Sequence, residues 1–430
     1  MKKYFFLIIL TASFSCCAEP NILIKIPTRS RPEQFFRVLD LFYEKLSGTL
    51  PYHFVISCDE DDATMNNPVV KEKIQQYAHL TCTFHKNQSK IEAYNCDIAD
   101  QDFDIVIVAS DDMEPQVKGY DVIVAEKMAE YFPDGDGVLH FHDGYVNSQC
   151  NTLPIMGRKF YDRFGYIYNP LYKSLVCDVE LTLVSRMLGK EALFEQVIIL
   201  HNHPAHNHSL VLDDLYIKNN KWHKYDLDIF YARRALCFDT DFTPLCTKKW
   251  SILLYATGKS QQQLKVLHDK LERQIKVLHL NDQIELLVDD SSSNDVGFKR
   301  NFLLGKSKGV YVNFIDDSVV DIGASYIDMI YKALSKTPDC VELIVKEKIT
   351  DKKIVYSMCS AETKSKKETK SKKETKYESP THFNTMKRSI ASMFTFIDRD
   401  GKNQYWIEAL NKSGYLKKEV ETRLVSFYFR

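Results

Sequence analysis

The residues in this chain best placed for chemistry are two carboxylates at the end of a β-branched run. Phe103-Asp104-Ile105-Val106-Ile107-Val108-Ala109-Ser110-Asp111-Asp112-Met113 reads as a buried strand that stops in an acidic pair. Open α/β sheets take their ligands at the carboxyl ends of the strands, which is where this pair falls. A second run, Gly309-Val310-Tyr311-Val312-Asn313-Phe314-Ile315-Asp316-Asp317, ends the same way. Aspartate at a strand end is also ordinary turn chemistry, and the repetition lifts the two pairs above that reading. Histidines form the next group. His201, His203, His206 and His208 follow an apolar run over 197–200, in a loop position suited to binding, and imidazole is a common metal ligand. Asp59 and Asp289 close earlier strands, and Asp178 and Glu180 open a helix expected over 178–188.

Other motifs fail on spacing. Thr257-Gly258-Lys259-Ser260 looks like the end of a phosphate loop, but the first glycine would fall at Leu253. A calcium loop around Asp398-Arg399-Asp400-Gly401 would put Phe396 and Ile407 at ligand positions. No HExxH sequence occurs.

The elements that position these residues alternate. Strands are expected at 21–26, 53–57, 80–84 and 103–109, with helices at 33–46, 69–77 and 90–99 between them. This is the pattern of a parallel α/β sheet. A helix at 120–131, strands at 138–141 and 197–200, and a closing helical segment at 213–237 complete the first module. The pattern restarts at Trp250: a strand at 251–255, a helix at 261–278, a strand at 284–288 ending in Asp289-Asp290, and a short helix opened by Lys299-Arg300-Asn301. A helix at 324–334 and a strand pair at 340–345 and 354–357 follow. Ile22 to Asp59 spans as many positions as Ile252 to Asp289, whereas Asp59 to Asp111 is about twice Asp289 to Asp316. The chain therefore reads as a duplication with a trimmed second copy.

At 430 residues and 44% hydrophobic composition the chain can build two to three domains. A formal net charge of −1 leaves no global footprint for nucleic acid, so no nucleic-acid partner is expected. The eleven cysteines form no CxxC pair and read as buried small hydrophobes. Residues 1–18 combine a basic start, an apolar stretch and small residues up to Ala18. They read as a cleaved signal peptide, with a lipid-modified Cys16 or an uncleaved membrane anchor as alternatives; the protein is then exported or membrane-associated, or held by an anchor that faces the cytosol. No later stretch of about 18 apolar residues follows. Residues 362–377 repeat Glu-Thr-Lys-Ser-Lys-Lys and read as a solvated low-complexity insertion.

One stretch carries a family resemblance. Asp289-Asp290-Ser291, then Gly297-Phe298-Lys299-Arg300-Asn301-Phe302, then the strand into Asp316-Asp317 resembles the family 2 glycosyltransferases of the GT-A fold. The first module looks like a more diverged copy, with Pro27-Thr28-Arg29-Ser30-Arg31-Pro32, Asp59 and Ser110-Asp111-Asp112 in matching places. The resemblance implies two tandem GT-A domains, nucleotide-diphospho-sugar transferase-like and Rossmann-like with mixed, mainly parallel sheets, at 20–246 and 249–430. It implies a hexosyltransferase-like enzyme that moves a sugar from a nucleotide-diphospho-sugar to a glycan, lipid or protein acceptor. Asp59, Arg31 and Lys90, or Asp289, Lys299 and Arg300, would bind the sugar nucleotide. Asp111 and Asp112 with His201 and His203, or Asp316 and Asp317, would hold Mn2+ or Mg2+. Asp178 and Glu180 fit the slot of the base that deprotonates the acceptor. The second module departs from the pattern: where the family has Gly-Glu-Asp, this chain has Gly401-Lys402-Asn403, so activity is expected in the first module only. The competing expectations are a non-catalytic exported glycan- or nucleotide-binding protein that keeps the fold, and a metal-dependent hydrolase built on the histidines.

Overall fold

The computed structural model describes residues 19–396 apart from 147, 205–212, 242–245, 258–260, 290, 292, 343–344, 351–352 and 359–383, and beyond them residues 406, 409–410, 419–421 and 425–429. The N-terminal segment 1–18, the repeat 362–377, His206, His208 and residues 401–405 lie outside the described residues. Among the described residues no helix is long and apolar enough to cross a membrane.

The first half runs β1 (Ile22–Thr28), α1 (Pro32–Lys45), β2 (Tyr52–Asp59), α2 (Pro68–Ile74), β3 (Leu80–His85), α3 (Lys90–Asn95), β4 (Ile105–Val108) and β5 (Met113–Pro115). It continues through α4 (Tyr120–Tyr131), β6 (Val138–Phe141), β7 (Ile155–Gly157), α5 (Arg158–Asp162), α6 (Cys177–Met187), β8 (Glu191–Phe194), β9 (Ile199–His201), α7 (Asp214–Asn220) and α8 (His223–Ala235). The second half runs β10 (Lys248–Tyr255), α9 (Gln261–Val277), β11 (Ile284–Val288), α10 (Val296–Lys306), β12 (Gly309–Asp316), β13 (Val319–Ile322) and α11 (Tyr326–Leu334). It ends with β14 (Cys340–Glu342), β15 (Val345–Thr350), β16 (Lys353–Met358), β17 (Thr385–Lys387), α12 (Arg388–Ala391), β18 (Glu419–Glu421) and β19 (Val425–Phe429).

The strands form two large sheets, ordered β3-β2-β1-β4-β7-β6-β8 and β11-β10-β12-β17-β14-β18. Without β3 the orders correspond strand for strand, and so do the directions. The pair flanking β1 or β10 is parallel, the next strand is antiparallel to both its neighbours, and the outermost pair is parallel again. Each half adds a smaller ladder just past its central strand: β5 pairs with β9, and β13 with β19. Between β11 and β12 the second half has, among the described residues, no counterpart of α2 and β3, which explains its shorter interval between acidic sites. The α/β class with mixed, mainly parallel sheets is thus what the chain folds into.

Period-two burial builds the sheets. Ile22, Ile24 and Ile26 of β1 enter the core under α1, where Phe35, Leu39 and Phe42 are buried, while Leu23 faces the opposite core. Pro32 starts α1 at a position where its missing N–H is not needed, with Glu33 in the first turn and Lys45 in the last. The opposite core is shared: Leu23, Val106 and Val108 of the first sheet and Leu253, Val312 and Phe314 of the second pack into one cluster, with α6 and α10 contributing Met187 and Leu303.

Some expected elements shift. The pair expected at 340–345 and 354–357 is instead β15 with β16, whereas Cys340–Glu342 joins the second large sheet. Lys299, Arg300 and Asn301 sit inside α10 rather than opening it, because Asp295 accepts the Phe298 amide and caps the helix earlier. His201 belongs to β9, where Met113 is its ladder partner, and not to a loop.

Candidate functional site

The order of the first sheet reverses direction between β1 and β4, and a cleft of about 370 Å³ opens at the carboxyl ends of these strands. This is the topological switch point at which open α/β sheets hold ligands. Asp59, Lys90, Asp111, Asp112, Asp178 and His201 all line it.

Asp111 accepts from Thr28 Oγ1 at 2.8 Å and from Arg31 Nη1 at 3.0 Å, which engages both of its oxygens. Arg31 is in turn held by Asp213 at 2.7 and 2.8 Å and lies 4.1 Å from the centre of the Tyr216 ring. The Tyr216 hydroxyl donates to Asp112 Oδ2 at 2.7 Å, and Ser110 Oγ donates to Asp112 Oδ1. Burial and the neighbouring Asp112 charge push the Asp111 carboxyl up, against Arg31. Asp112 goes the other way: burial opposes its charge, but His201 and its hydroxyl donors hold its carboxyl well below the usual range.

The β5–β9 ladder places His201 over Asp112. His201 Nε2 is 3.5 Å from Asp112 Oδ1, and Nδ1 is 3.7 Å from Asp143 Oδ2. Burial lowers the affinity of this imidazole for a proton, yet the two carboxylates raise its pKa to about 9. Nδ1 is buried without a hydrogen-bond partner. As they stand, Asp112 and His201 form an ion pair; once the imidazole gives up its proton, its Nε2 and an Asp112 oxygen offer two ligand atoms to a divalent cation, with Asp143 behind the ring and Asp111 turned toward Arg31. His203 lines the same wall, its ring 5.4 Å from that of His201 and 4.9 Å from that of Tyr216.

On the opposite rim Asp59 accepts from Arg29 at 2.5 Å and from Asn87 at 2.8 Å. Ser30 adopts the left-handed conformation at φ 62° in the turn between Arg29 and Arg31, where Asp62 takes its amide at 2.7 Å. Lys90 follows the capping Ser89 at the start of α3, lines the cleft and, among the described residues, has no ion-pair partner. Asp178 reaches the cleft from the first turn of α6. Glu180 does not: its carboxylate takes the Tyr172 hydroxyl at 2.6 Å and Arg233 at 2.9 to 3.0 Å, on the far side of the helix. Residues two apart on a helix point about 200° apart, so the two acids cannot face one cleft.

The second set of expected residues is packed shut. Asp289 pairs with Lys299 at 3.3 Å and accepts the Ser291 amide and hydroxyl, and Lys299 donates to Ala256 O at 2.9 Å. Arg300 donates to the Tyr255 hydroxyl, which lies 3.3 Å from Asp316. Asp317 accepts from Thr257 Oγ1 at 2.6 Å, as Asp111 does from Thr28. Aligned on that threonine contact and on the start of the following strand, Asp112 corresponds to Ser318. By ladder register, His201, opposite Met113, corresponds to Phe429, opposite Val319. The positions that could hold a cation in the first half are a serine and a phenylalanine in the second.

Asp143, Asp213 and Tyr216 are absent from the sequence reading of the site. The triplet His142-Asp143-Gly144 at a strand end was the one available signal; Asp213 and Tyr216 come from a helical excursion with no motif.

No protein-family model matches the chain, and no curated protein matches it. Among solved structures, it is similar to the mannosyltransferase PcManGT from Pyrobaculum calidifontis in complex with GDP-Man and Mn2+, at 14% identity and a TM-score of 0.40 over 51% of this chain and 65% of that one. It is also similar to S. aureus TarS 1-349, at 13% identity and a TM-score of 0.34 over 43% of this chain and 61% of that one. For TarS 1-349 in complex with UDP-GlcNAc the identity is again 13% and the TM-score 0.34, over 46% of this chain and 64% of that one. The chain spans less than two thirds of the length of each of these structures.

Proposed function

We propose that the chain is a glycosyltransferase whose first half moves a sugar from a nucleoside-diphospho-sugar to a hydroxyl acceptor with the help of a divalent cation. The observation that carries this reading is the convergence of Asp112, His201, Lys90 and Asp178 on one cleft at the sheet's switch point. Asp112 and deprotonated His201 would hold Mn2+ or Mg2+, which would supply charge to neutralise the leaving diphosphate. Lys90 brings a second positive charge to the same wall. Asp59, fixed by Arg29 and Asn87, presents a polar edge to the nucleotide base. Arg31 keeps Asp111 and the Tyr216 wall in place. Asp178 takes the proton of the acceptor hydroxyl as its oxygen bonds to the sugar carbon and the bond from that carbon to the phosphate oxygen breaks. The acceptor is a glycan, lipid or protein hydroxyl.

Calorimetric titration of the full chain with uridine and guanosine diphosphates, with and without Mn2+, tests this. Binding that requires the metal is expected; nucleotide binding that ignores Mn2+, or no binding, overturns the reading.

A further inference from the structure

Asn301 of α10 and Arg388 of α12 bring a buried polar seam up to the back of the helix that carries Asp178. Asn301 is fully buried. Its Oδ1 accepts from Arg186 of α6 at 3.2 Å, and its Nδ2 donates to Ser148 Oγ at 3.0 Å and to Phe396 O at 2.9 Å. Arg388 is 2% exposed and reaches across from the second half to the last turn of α6, donating to Arg186 O at 2.8 Å and Met187 O at 2.5 Å. The same guanidinium holds the end of α10 through Leu304 O at 3.3 Å and Ser307 Oγ at 2.9 Å. Arg186 O also takes the Gly189 amide at 2.9 Å and Leu304 O the Ser307 amide at 3.3 Å, so Arg388 adds its charge at helix ends already closed by turns, where a cation is favoured. Arg186 is further fixed by Glu191 at 2.7 Å, by Ser148 O at 2.9 Å and by Thr395 at 3.3 Å.

We propose that the second half acts as a clamp on α6, with Asn301 and Arg388 as positioning residues that set where Asp178 stands in the cleft of the first half. The proposal rests on the transferase reading for what Asp178 does, but not for the clamp itself. Asp178 lies about 12 Å along the helix from Arg186. The helix is buried at Cys177 and from Glu180 to Met187, so it moves as a rod. A shift at its clamped end is therefore passed to its first turn, and a misplacement of about 1 Å costs on the order of a hundredfold in rate. A seam that served only to hold the halves together would put no special demand on α6.

The test uses the full chain carrying Asn301→Ser or Arg388→Lys, both of which keep a polar group in the seam. Hydrogen exchange is measured by mass spectrometry over 177–187 and over the strands 22–28 and 52–59. Exchange across 177–187 is expected to speed up about tenfold or more while the strands stay as in the unaltered chain. Nucleoside diphosphate affinity with Mn2+ is expected to stay within about twofold. Release of nucleoside diphosphate from GDP-mannose or UDP-N-acetylglucosamine, with water as acceptor, is expected to fall about ten- to a hundredfold. Unchanged exchange over 177–187, or an equal rise in all three segments, overturns the clamp. So does a fall in nucleotide affinity that accounts for the whole fall in rate. If the unaltered chain neither binds nucleotide nor releases it, the transferase reading fails, and the exchange measurement still decides the clamp.

Discussion

The two halves share a strand order, a pair of small ladders and a threonine-to-aspartate contact at the same sheet edge, yet the polar groups beside that contact face a cleft in the first half and one another in the second. Thr28–Asp111 and Thr257–Asp317 are the same contact built twice. One residue further along, the halves part: Asp112 faces His201 in the first, while Ser318 and the register position of Phe429 stand there in the second. Around that difference the surrounding charges have been put to other work. Lys90 stands in the first cleft beside the Tyr94 ring with, among the described residues, no ion-pair partner, whereas Lys299 and Arg300 are tied to Asp289, Ala256 and Tyr255. A duplicated fold keeps its backbone hydrogen bonding and its cores because every residue depends on them. A binding edge survives only while its few polar groups face a ligand instead of each other.

Breaking the comparison at its sharpest point should have the largest effect. Asp112→Ala is expected to abolish Mn2+-dependent nucleotide binding and to lower transfer by about a thousandfold or more, whereas Asp317→Ala leaves binding unchanged; parallel calorimetric titrations check both. Next comes the acid pair on α6. Asp178→Asn should lower turnover about a hundred- to ten-thousandfold with nucleotide affinity retained. Glu180→Gln should instead cost stability, by about 1 to 2 kcal/mol in denaturant unfolding, because Arg233 loses its buried carboxylate and keeps only the exposed Asp239 as an ion-pair partner. Equal kinetic losses for the two variants would dissolve the distinction between them.

His201→Phe gives the first half the residue type of the second. Metal affinity is expected to drop about ten- to a hundredfold, read as the Mn2+ concentration at half-maximal nucleotide binding. The smallest effect concerns acid stability where the halves meet. Glu191 is buried, which works against its charge, but Arg186 and His140 hold its carboxyl below the ordinary range. A carboxyl with a depressed folded pKa adds stability above its unfolded value of about 4.3, and that stability is lost as the pH falls through the folded value. Glu191→Gln should therefore flatten the decline of unfolding free energy below about pH 4, measured by urea titration at several pH values.

Local signals in the sequence reached most of the fold. The strand-end acids and the switch of hydrophobic period mark both parallel sheets, and equal spacing at 22–59 and 252–289 marks the duplication. The site was legible where it sits next to a strand: Asp59, Asp111, Asp112 and His201. It was not legible where it depends on distant closure. Tyr216 touches Asp112 across 104 positions, from a helical excursion without a motif. Glu180 looked equivalent to Asp178 because both precede one apolar helix, and only the rotation per residue separates them. Lys299, Arg300 and Asn301 carried the clearest motif and do something else, because a motif records residue types and not which way the helix faces.

Lys25 lies in the middle of β1, fully buried, with its ammonium against Ser57 and the Cys96 carbonyl and with Asp97 one hydroxyl beyond. Burial lowers its pKa, against the pull of the neighbouring groups. Its neighbours along the strand, Ile24 and Ile26, enter the opposite core beside Phe35, Leu39 and Phe42. Sliding β1 by one residue would turn the lysine into that core, where an unmatched ammonium costs several kcal/mol or more. Slips of the central strand by an odd number of residues are thereby made expensive, while the correct pairing is satisfied. One buried charge tells the central strand odd from even.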